Sequence, residues 1–225
     1  MFVASLAWML WTFAAQWGRP VPFAPAGAAR AVAIDMLLVA AFASHHSLFA
    51  RETVKAALGR LVPARLLRSV YVWTASTLLL LVITSWQSVG GTLYERSGMP
   101  ALAHAAVQLA GVLLIARAVR AIDALELAGI KQPALAASRV PGAESPALQV
   151  SGPYRLVRHP LYLGWMLLVF GAGVMTGDRL AFAILTSLYL VIAIQWEERS
   201  LTDAFGQAYT HYRQTVRWRV LPFIY

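Results

Sequence analysis

The 225-residue sequence contains no cysteine, and charged residues make up only 13% of it. Without cysteine there is no disulfide framework, no thiolate metal site and no cysteine nucleophile. A soluble domain carries roughly 25% charged residues, whereas 59% of this chain is hydrophobic. Because so little polar material is present to cover a soluble surface, the composition predicts an integral membrane protein.

Six apolar stretches lie near the short end of the roughly 17–25 residues that span a bilayer as a helix. They are Phe2–Trp17, Ala31–Phe49, Val70–Val89, Ala101–Ala116, Leu161–Thr176 and Leu180–Trp196. None alternates with period two, so no strand is expected. The first lacks a basic leader and a good cleavage site, and is interpreted as a retained helix. We predict an all-α polytopic membrane protein of about six transmembrane helices.

The basic residues indicate how the helices are oriented. Fifteen of the nineteen lysines and arginines fall in segments 50–69, 117–160 and 197–225, which alternate spans place on one side. Because cytoplasmic loops are enriched in lysine and arginine, both termini are predicted to be cytoplasmic. The net charge of +9 is then explained by topology and by attraction to an anionic leaflet. No nucleic-acid partner is expected.

The segment before the fifth span concentrates polar and aromatic residues. Gly152-Pro153 predicts a turn, and Pro160 suits the first turn of the next helix, where an N–H is not needed. Arg158 and His159 therefore precede a helix start, whose N–H groups and dipole favour a carboxylate or phosphate. Tyr162 follows on the same helix face. The alternative is an interfacial anchor of arginine and tyrosine at headgroup level.

Two adjacent carboxylates, Glu197 and Glu198, follow the sixth span. The tight hairpin predicted for the last two spans, joined by Gly177-Asp178-Arg179, places them near Arg158 and His159. Since unpaired carboxylates are costly at a membrane, we expect at least one to meet a cation or hydroxyl groups. The resulting site would suit a ligand with a carboxylate at one end and hydroxyls or a positive centre elsewhere. The alternative is a solvated helix end.

The remaining C-terminal residues predict a helix on the cytoplasmic surface. Phe205–Arg213 has amphipathic spacing, and the basic residues that follow suit anionic lipid headgroups. Pro133–Pro146, rich in alanine, serine and proline, is expected to be a cytoplasmic loop.

Three blocks in this order resemble the isoprenylcysteine carboxyl methyltransferase and phospholipid methyltransferase superfamily. They are Gly-Pro-Tyr-Arg-x-Val-Arg-His-Pro-x-Tyr-x-Gly at 152–164, Glu-Glu-x-x-Leu at 197–201 and Phe-Gly-x-x-Tyr-x-x-Tyr-Arg at 205–213. The resemblance implies S-adenosylmethionine as cofactor. It also implies cofactor contacts from Leu148, Val150, Gly152, Tyr154, Arg158, His159, Pro160, Tyr162, Glu197 and Glu198. The chain is expected to form a single integral membrane domain (residues 1–225). Within it, residues 1–130 would hold transmembrane helices 1–4 and the acceptor side, and residues 131–225 would form the cofactor-binding half with a helical hairpin and a C-terminal helix.

Shorter blocks in the first half resemble the bacterial branch that holds methanethiol S-methyltransferases and NnrU-like proteins. These are Ser44–Arg51, Arg68–Val72 and Leu127–Gln132. The prenylcysteine branch has a substrate-holding arginine about one turn before the paired glutamates, where Ala193, Ile194 and Gln195 stand here. This departure argues against a prenylcysteine acceptor.

His45, His46 and Arg51 are the candidate substrate residues. A histidine there could orient or deprotonate a thiol, serve as an interfacial polar residue, or ligate haem, as the NnrU-like resemblance allows. No other metal site and no obligate catalytic residue is expected.

The sequence thus predicts a membrane methyltransferase using S-adenosylmethionine, acting on a small or lipophilic thiol or carboxyl acceptor that arrives through the bilayer. The site would face the cytoplasm of a bacterial inner membrane. The alternatives are an NADPH-dependent sterol-type reductase, a haem-binding NnrU-like isomerase or accessory protein, and a non-catalytic membrane partner.

Overall fold

The computed structural model describes residues 1–23, 25–49, 52–60, 62–122 and 148–225, which are mostly helical. The helices are α1 (Phe2–Trp11, continued by a π-helical turn Thr12–Gln16), α2 (Pro25–Phe49), α3 (Glu52–Leu58), α4 (Ala64–Ser85), α5 (Gly98–Ile122), a 3₁₀ turn (Gly152–Arg155), α6 (Pro160–Phe170), α7 (Gly177–Phe205) and α8 (Gln207–Thr215). The strands are β1 (Thr92–Glu95) and β2 (Val174–Thr176). Arg51, the predicted loop 133–146 and the block Leu127–Gln132 lie outside the described residues.

Three of these helices, α2, α5 and α7, are long and apolar enough to cross a membrane. Three further apolar helices are shorter, at Phe2–Gln16, Ser69–Ser85 and Pro160–Phe170. At about 1.5 Å per residue, the eleven residues of α6 extend roughly half of a hydrocarbon core of about 30 Å. The membrane character is therefore evident, while a topology of six spans stays a prediction.

The predicted fifth span, Leu161–Thr176, is wrong at its C-terminal end. Helix α6 ends at Phe170, and Val174–Thr176 form β2, which pairs antiparallel with β1. Two glycines, Gly171 and Gly173, interrupt the helix, and the β-branched residues that follow favour extended backbone. The expectation of no strand is wrong for the same reason, and the connection between α6 and α7 is longer than a three-residue turn.

The third span was predicted as Val70–Val89, but the helix ends earlier, at Ser85. It ends there because two buried aspartates bind the backbone beyond α4. The N–H of Gln87 donates to Asp35 Oδ1 at 2.8 Å, and that of Val89 donates to Asp178 Oδ1 at 2.9 Å. These bonds hold the segment in a non-helical conformation after Ser85, where the helix ends.

Helix α7, which contains the predicted sixth span, continues well past the predicted end of that span at Trp196. Because α7 runs to Phe205, Glu197 and Glu198 lie within a helix and not after one. Adjacent helical residues point about 100° apart, so the two carboxylates diverge. Glu198 is buried, whereas the Glu197 side chain is 44% exposed.

Two compact units make up the chain, and the first comprises Met1–His104 and Ala172–Tyr189. Within it, α4 packs against both α1 and α2. An aromatic cluster of Trp17, Trp86 and Phe182 has ring centroids 4.6–5.8 Å apart. This unit also contains the β1–β2 pair.

The second unit comprises Ala105–Gly171 and Leu190–Tyr225. Helices α5 and α6 cross closely at two glycines: a Cβ on Gly111 would lie 2.6 Å from the Gly164 carbonyl oxygen. Larger side chains at either position would force the helices apart. The predicted division at residue 130 falls outside the described residues and stays a prediction.

Candidate functional site

The turn before α6 depends on one glycine. Gly152 has φ +60°, a left-handed conformation that residues with a Cβ rarely adopt. It begins the 3₁₀ turn Gly152–Arg155, and Pro160 begins α6 with its side chain fully buried. The predicted turn and helix start are both confirmed.

A buried ion pair joins the two predicted sequence blocks. Arg158 Nε donates to Glu198 Oε1 at 2.7 Å, and both side chains are about 95% buried. Arg158 Nη1 also donates to the carbonyls of Val216 and Arg217, at 2.9 and 2.7 Å. Arg219 Nε lies 3.4 Å from Glu198 Oε2. The expected proximity of the two blocks is therefore confirmed.

His159 lies between the two glutamates. Its Nδ1 is 3.5 Å from Glu197 Oε2, and its Nε2 is 3.4 Å from Glu198 Oε1. Burial lowers the pKa of His159, but the hydrogen bonds and charges of Glu197 and Glu198 outweigh this, so the pKa lies above its usual 6.5. The imidazolium form thus balances part of the paired negative charge.

Tyr162 forms an aromatic wall beside this histidine, as predicted. The two rings stack with centroids 5.3 Å apart, and the Tyr162 hydroxyl donates to Glu197 Oε2 at 2.6 Å. Glu197 is thereby oriented while it keeps access to solvent.

The expected anion cradle is only partly present. The His159 carbonyl accepts the N–H groups of Tyr162 and Leu163, at 3.1 and 3.2 Å, and Pro160 has no N–H. Arg158 already uses Nε and Nη1 within the protein. The N–H groups of Tyr162 and Leu163 are therefore already bonded within the first turn of α6. The Arg158 guanidinium holds the cluster together, and its Nε and Nη1 are not available to a ligand.

Three tyrosines pack beside the ion cluster. Tyr154, Tyr209 and Tyr212 are buried together, with Leu148 packed against them. The Tyr212 hydroxyl donates to the Tyr154 carbonyl at 2.7 Å. The Tyr209 hydroxyl is buried with no hydrogen-bond partner in the described structure, and burial raises its pKa well above the usual value, which keeps it neutral. An unsatisfied buried hydroxyl costs about 1–3 kcal/mol.

The ten predicted cofactor residues thus fall into distinct environments. The ionic and aromatic cluster contains Arg158, His159, Tyr162, Glu197 and Glu198. Leu148 and Tyr154 belong to the tyrosine cluster, Gly152 and Pro160 shape the chain between them, and Val150 is exposed.

Comparisons with known proteins assign the chain to a family. A family model described as phospholipid methyltransferase matches residues 105–208. A methanethiol S-methyltransferase of Bradyrhizobium diazoefficiens is 32% identical over 192 residues, which cover 85% of this chain and 74% of that protein. The chain belongs to this methyltransferase family. A methanethiol S-methyltransferase of Mycobacterium tuberculosis is 34% identical over 194 residues, which cover 86% of this chain and 78% of that protein.

A further relative of this methyltransferase is nurim of Sus scrofa, 32% identical over 76% of this chain and 68% of the relative. No solved structure matches the methyltransferase significantly. The predicted superfamily and the methanethiol S-methyltransferase branch are therefore confirmed, whereas the NnrU-like part of the resemblance stays a prediction.

Two of the three candidate substrate residues, His45 and His46, lie in the first unit. His45 and His46 are in the last turns of α2, and Tyr71 Oη lies 2.6 Å from His46 Nδ1. His45 is 9% exposed, stacks on Tyr71, and neither ring nitrogen has a partner within the described ranges. Arg51 lies outside those ranges.

Tyr209 is the residue that sequence reasoning missed. It stands in the third sequence block, Phe-Gly-x-x-Tyr-x-x-Tyr-Arg, in the first turn of α8. The block was interpreted as an amphipathic surface helix, and the signal that points inward is the pair Tyr209 and Tyr212, three residues apart on one face.

Proposed function

We propose that this membrane methyltransferase transfers the methyl group of S-adenosylmethionine to a small thiol of the methanethiol type. Similarity to methanethiol S-methyltransferases along most of the chain carries the proposal. The buried Arg158–Glu198–His159 cluster, inside the matched family region at residues 105–208, supports the second unit as the place where the cofactor is held.

The residues of the second unit suit this cofactor chemically. Ribose hydroxyls need a carboxylate acceptor, and Glu197 is oriented yet accessible. An adenine needs an aromatic or apolar surface, which Tyr162, Leu148 and Val150 offer. The Tyr209 hydroxyl, which has no partner in the part of the chain that the structure describes, offers a donor for a carboxylate or ring nitrogen. Its buried, unsatisfied state is the observation that favours a bound ligand over an empty apolar core.

We assign different roles to the ionic residues. Arg158 and Glu198 are positioning residues because they are buried and bonded to each other and to the C-terminal backbone. His159 fixes both glutamates, and Glu197 contacts the ligand. The turn and the helix start formed by Gly152, Tyr154 and Pro160 bring these side chains together.

When bound, the cofactor supplies an electrophilic methyl group on a sulfonium. The protein then contributes alignment and exclusion of water more than acid–base catalysis, since an in-line displacement depends on both. The buried cluster serves this purpose by holding Glu197 and Tyr162 rigidly.

The acceptor must lose a proton if it is a thiol, because the thiolate is the nucleophile. We propose His45, His46 and Arg51 as the acceptor-side residues. Neither ring nitrogen of His45 has a hydrogen-bond partner among the described residues, and the unprotonated nitrogen of its neutral imidazole would take the thiol proton. A carboxyl acceptor, which needs no such base, is the second candidate.

For the whole protein we propose six spans in a bacterial inner membrane, with both termini and the cofactor site at the cytoplasmic face. The distribution of fifteen of nineteen basic residues supports this orientation. Cysteine-accessibility labelling of single cysteines at positions 97 and 200 would test it, since the chain has none of its own.

The decisive assay incubates membranes containing the protein with methyl-labelled S-adenosylmethionine and a panel of thiols, prenylcysteines and amino-phospholipids. Label is expected in a volatile methyl thioether, and the Glu198→Ala variant is expected to lack it. Label in phospholipid or prenylcysteine alone would contradict the proposed acceptor. NADPH oxidation with a sterol, or a haem band in the visible spectrum, would favour the alternative activities.

A further inference from the structure

A groove of about 670 Å³ lies between α8 and the C-terminal residues of the second unit. None of its lining side chains is acidic. Four of them are arginines, namely Arg158, Arg213, Arg217 and Arg219. Thr210 and Gln214 add polar groups, and Trp218 adds an aromatic surface.

The four arginines are not equally neutralised. Arg158 and Arg219 both meet Glu198. Arg213 and Arg217 are exposed and form no ion pair or side-chain hydrogen bond with any described residue. Two guanidinium groups in a groove without acidic side chains favour a phosphate, which arginine binds through paired N–H donors.

Two apolar side chains close to these arginines in the chain, Phe223 and Ile224, are exposed to solvent. Phe223 is 85% exposed and Ile224 is 77% exposed. Phe223 has φ +67°, which is costly for a bulky residue. The turn is nonetheless closed by reciprocal backbone hydrogen bonds between Leu221 and Tyr225, both at 3.0 Å. A strained, hydrogen-bonded turn that presents apolar groups indicates a partner for them.

We propose that this groove and turn bind an anionic phospholipid. The phosphate would lie against Arg213 and Arg217, and the acyl chains would contact Phe223 and Ile224. A lipid is favoured over a soluble phosphate because the apolar pair lies beside the cationic groove, in a chain with helices that are long and apolar enough to cross a membrane. This inference does not rest on the identity of the cofactor or the acceptor, although the groove shares Arg158 with the ion cluster.

The same segment also supports the buried cluster. The backbone N–H groups of Arg158 and His159 donate to the carbonyls of Trp218 and Arg219, at 2.9 and 2.8 Å. Lipid binding at Arg217 would therefore steady the backbone on which Arg158 and His159 depend. We expect anionic lipid to raise the thermal stability of the purified protein.

Native mass spectrometry of the full chain, released from nanodiscs of equal phosphatidylglycerol and phosphatidylcholine, tests the proposal. The wild type is expected to retain phosphatidylglycerol about tenfold over phosphatidylcholine. The Arg213→Gln/Arg217→Gln variant is expected to lose this preference. The matched control, Arg117→Gln/Arg120→Gln, removes the same charge from exposed positions of α5 and is expected to keep it.

Two further arms identify the ligand. Inorganic phosphate is expected not to displace the lipid, and Phe223→Asn, which tolerates the left-handed backbone, is expected to weaken phosphatidylglycerol retention severalfold. Equal retention of both lipids by the wild type, equal loss in the control, displacement by inorganic phosphate, or full retention by Phe223→Asn would overturn the assignment. Loss of S-adenosylhomocysteine binding in the Arg213→Gln/Arg217→Gln variant would assign the groove to the cofactor and also overturn it.

Discussion

Buried charges occur in both units, but they are satisfied in different ways. In the first unit Asp178 accepts hydrogen bonds from Trp86 Nε1, Ser88 Oγ and the Val89 N–H, at 2.9–3.0 Å. Arg179 donates to the carbonyls of Phe13, Ala14 and Val174. Each charge is thus bonded to loop or backbone atoms of its own unit.

In the second unit the buried charges are bonded chiefly to one another. Arg158, His159 and Glu198 form one cluster, Glu197 remains accessible, and the neighbouring Tyr209 hydroxyl has no partner in the described ranges. Both units contain an acidic and a basic residue of similar burial, so burial alone does not identify a ligand site. Buried polar atoms without a described partner occur in the first unit too, at Asp35 Oδ2 and the His45 ring. The difference is that the second cluster includes Glu197, a carboxylate that Tyr162 orients and that stays accessible.

Removing Glu198 is expected to give the largest effect. Glu198→Ala leaves Arg158 as an uncompensated buried cation and removes one of the two glutamate partners of His159, which costs about 3–5 kcal/mol of unfolding free energy. Thermal unfolding in detergent measures this loss. Glu95→Ala, at an exposed residue of β1, is the control and should unfold like the wild type. An unchanged melting temperature for Glu198→Ala would show that the cluster is not a stabilising unit.

Removing Asp178 tests the first unit in the same manner. Asp178→Ala leaves three donors unpaired, so we expect a loss of about 2–4 kcal/mol in stability. In contrast with the second unit, S-adenosylhomocysteine affinity in calorimetry should stay within twofold of the wild type. Asp203→Ala, an exposed control on α7, should change neither quantity. A large loss of affinity in folded Asp178→Ala would remove the distinction between the units.

Two tyrosines of α8 separate ligand binding from stability. Tyr209→Phe removes a buried hydroxyl that has no partner among the described residues, so the apo protein should be more stable than the wild type, by up to about 1–3 kcal/mol. S-adenosylhomocysteine should bind about tenfold more weakly, or about 1.4 kcal/mol. Tyr212→Phe loses the bond to the Tyr154 carbonyl and should lose about 1 kcal/mol of stability. Equal behaviour of the two variants would contradict a ligand role for Tyr209.

The pH dependence of stability should reflect His159. Because its pKa is raised in the folded protein above the usual 6.5, its stabilising contribution is complete below pH 6.5 and disappears as pH rises through the folded pKa. The wild type should therefore lose stability relative to His159→Asn as pH increases over that window. Melting temperatures of both proteins measure the difference, and His211→Asn, an exposed histidine of α8, should follow the wild type.

Much of the second unit could be predicted from sequence. The spacing of Gly152, Pro160 and the paired glutamates identified the turn, the helix start and the ion pair, because these depend on local chain geometry and on the cost of burying charge. The burial of Arg158 could not be predicted, since it depends on carbonyls supplied by residues 216 and 217, and the backbone N–H groups of Arg158 and His159 likewise depend on the carbonyls of Trp218 and Arg219.

The first unit was less predictable because distant side chains decide its local structure. The end of α4 at Ser85 depends on Asp35 and Asp178, which lie far away in the chain. The strand at Val174–Thr176 depends on its pairing with Thr92–Glu95. Neither hydropathy nor periodicity contains this information, so both segments were assigned to helices.

The central claim is that the charge cluster of the second unit, and not that of the first, holds S-adenosylmethionine. Calorimetric titration of S-adenosylhomocysteine and of NADPH into purified wild type, Glu198→Gln and Asp178→Asn tests it most directly. The account predicts that S-adenosylhomocysteine binds the wild type and Asp178→Asn, that Glu198→Gln loses this binding, and that NADPH binds none of them. Failure of S-adenosylhomocysteine to bind the wild type, or undiminished binding to Glu198→Gln, would contradict the account.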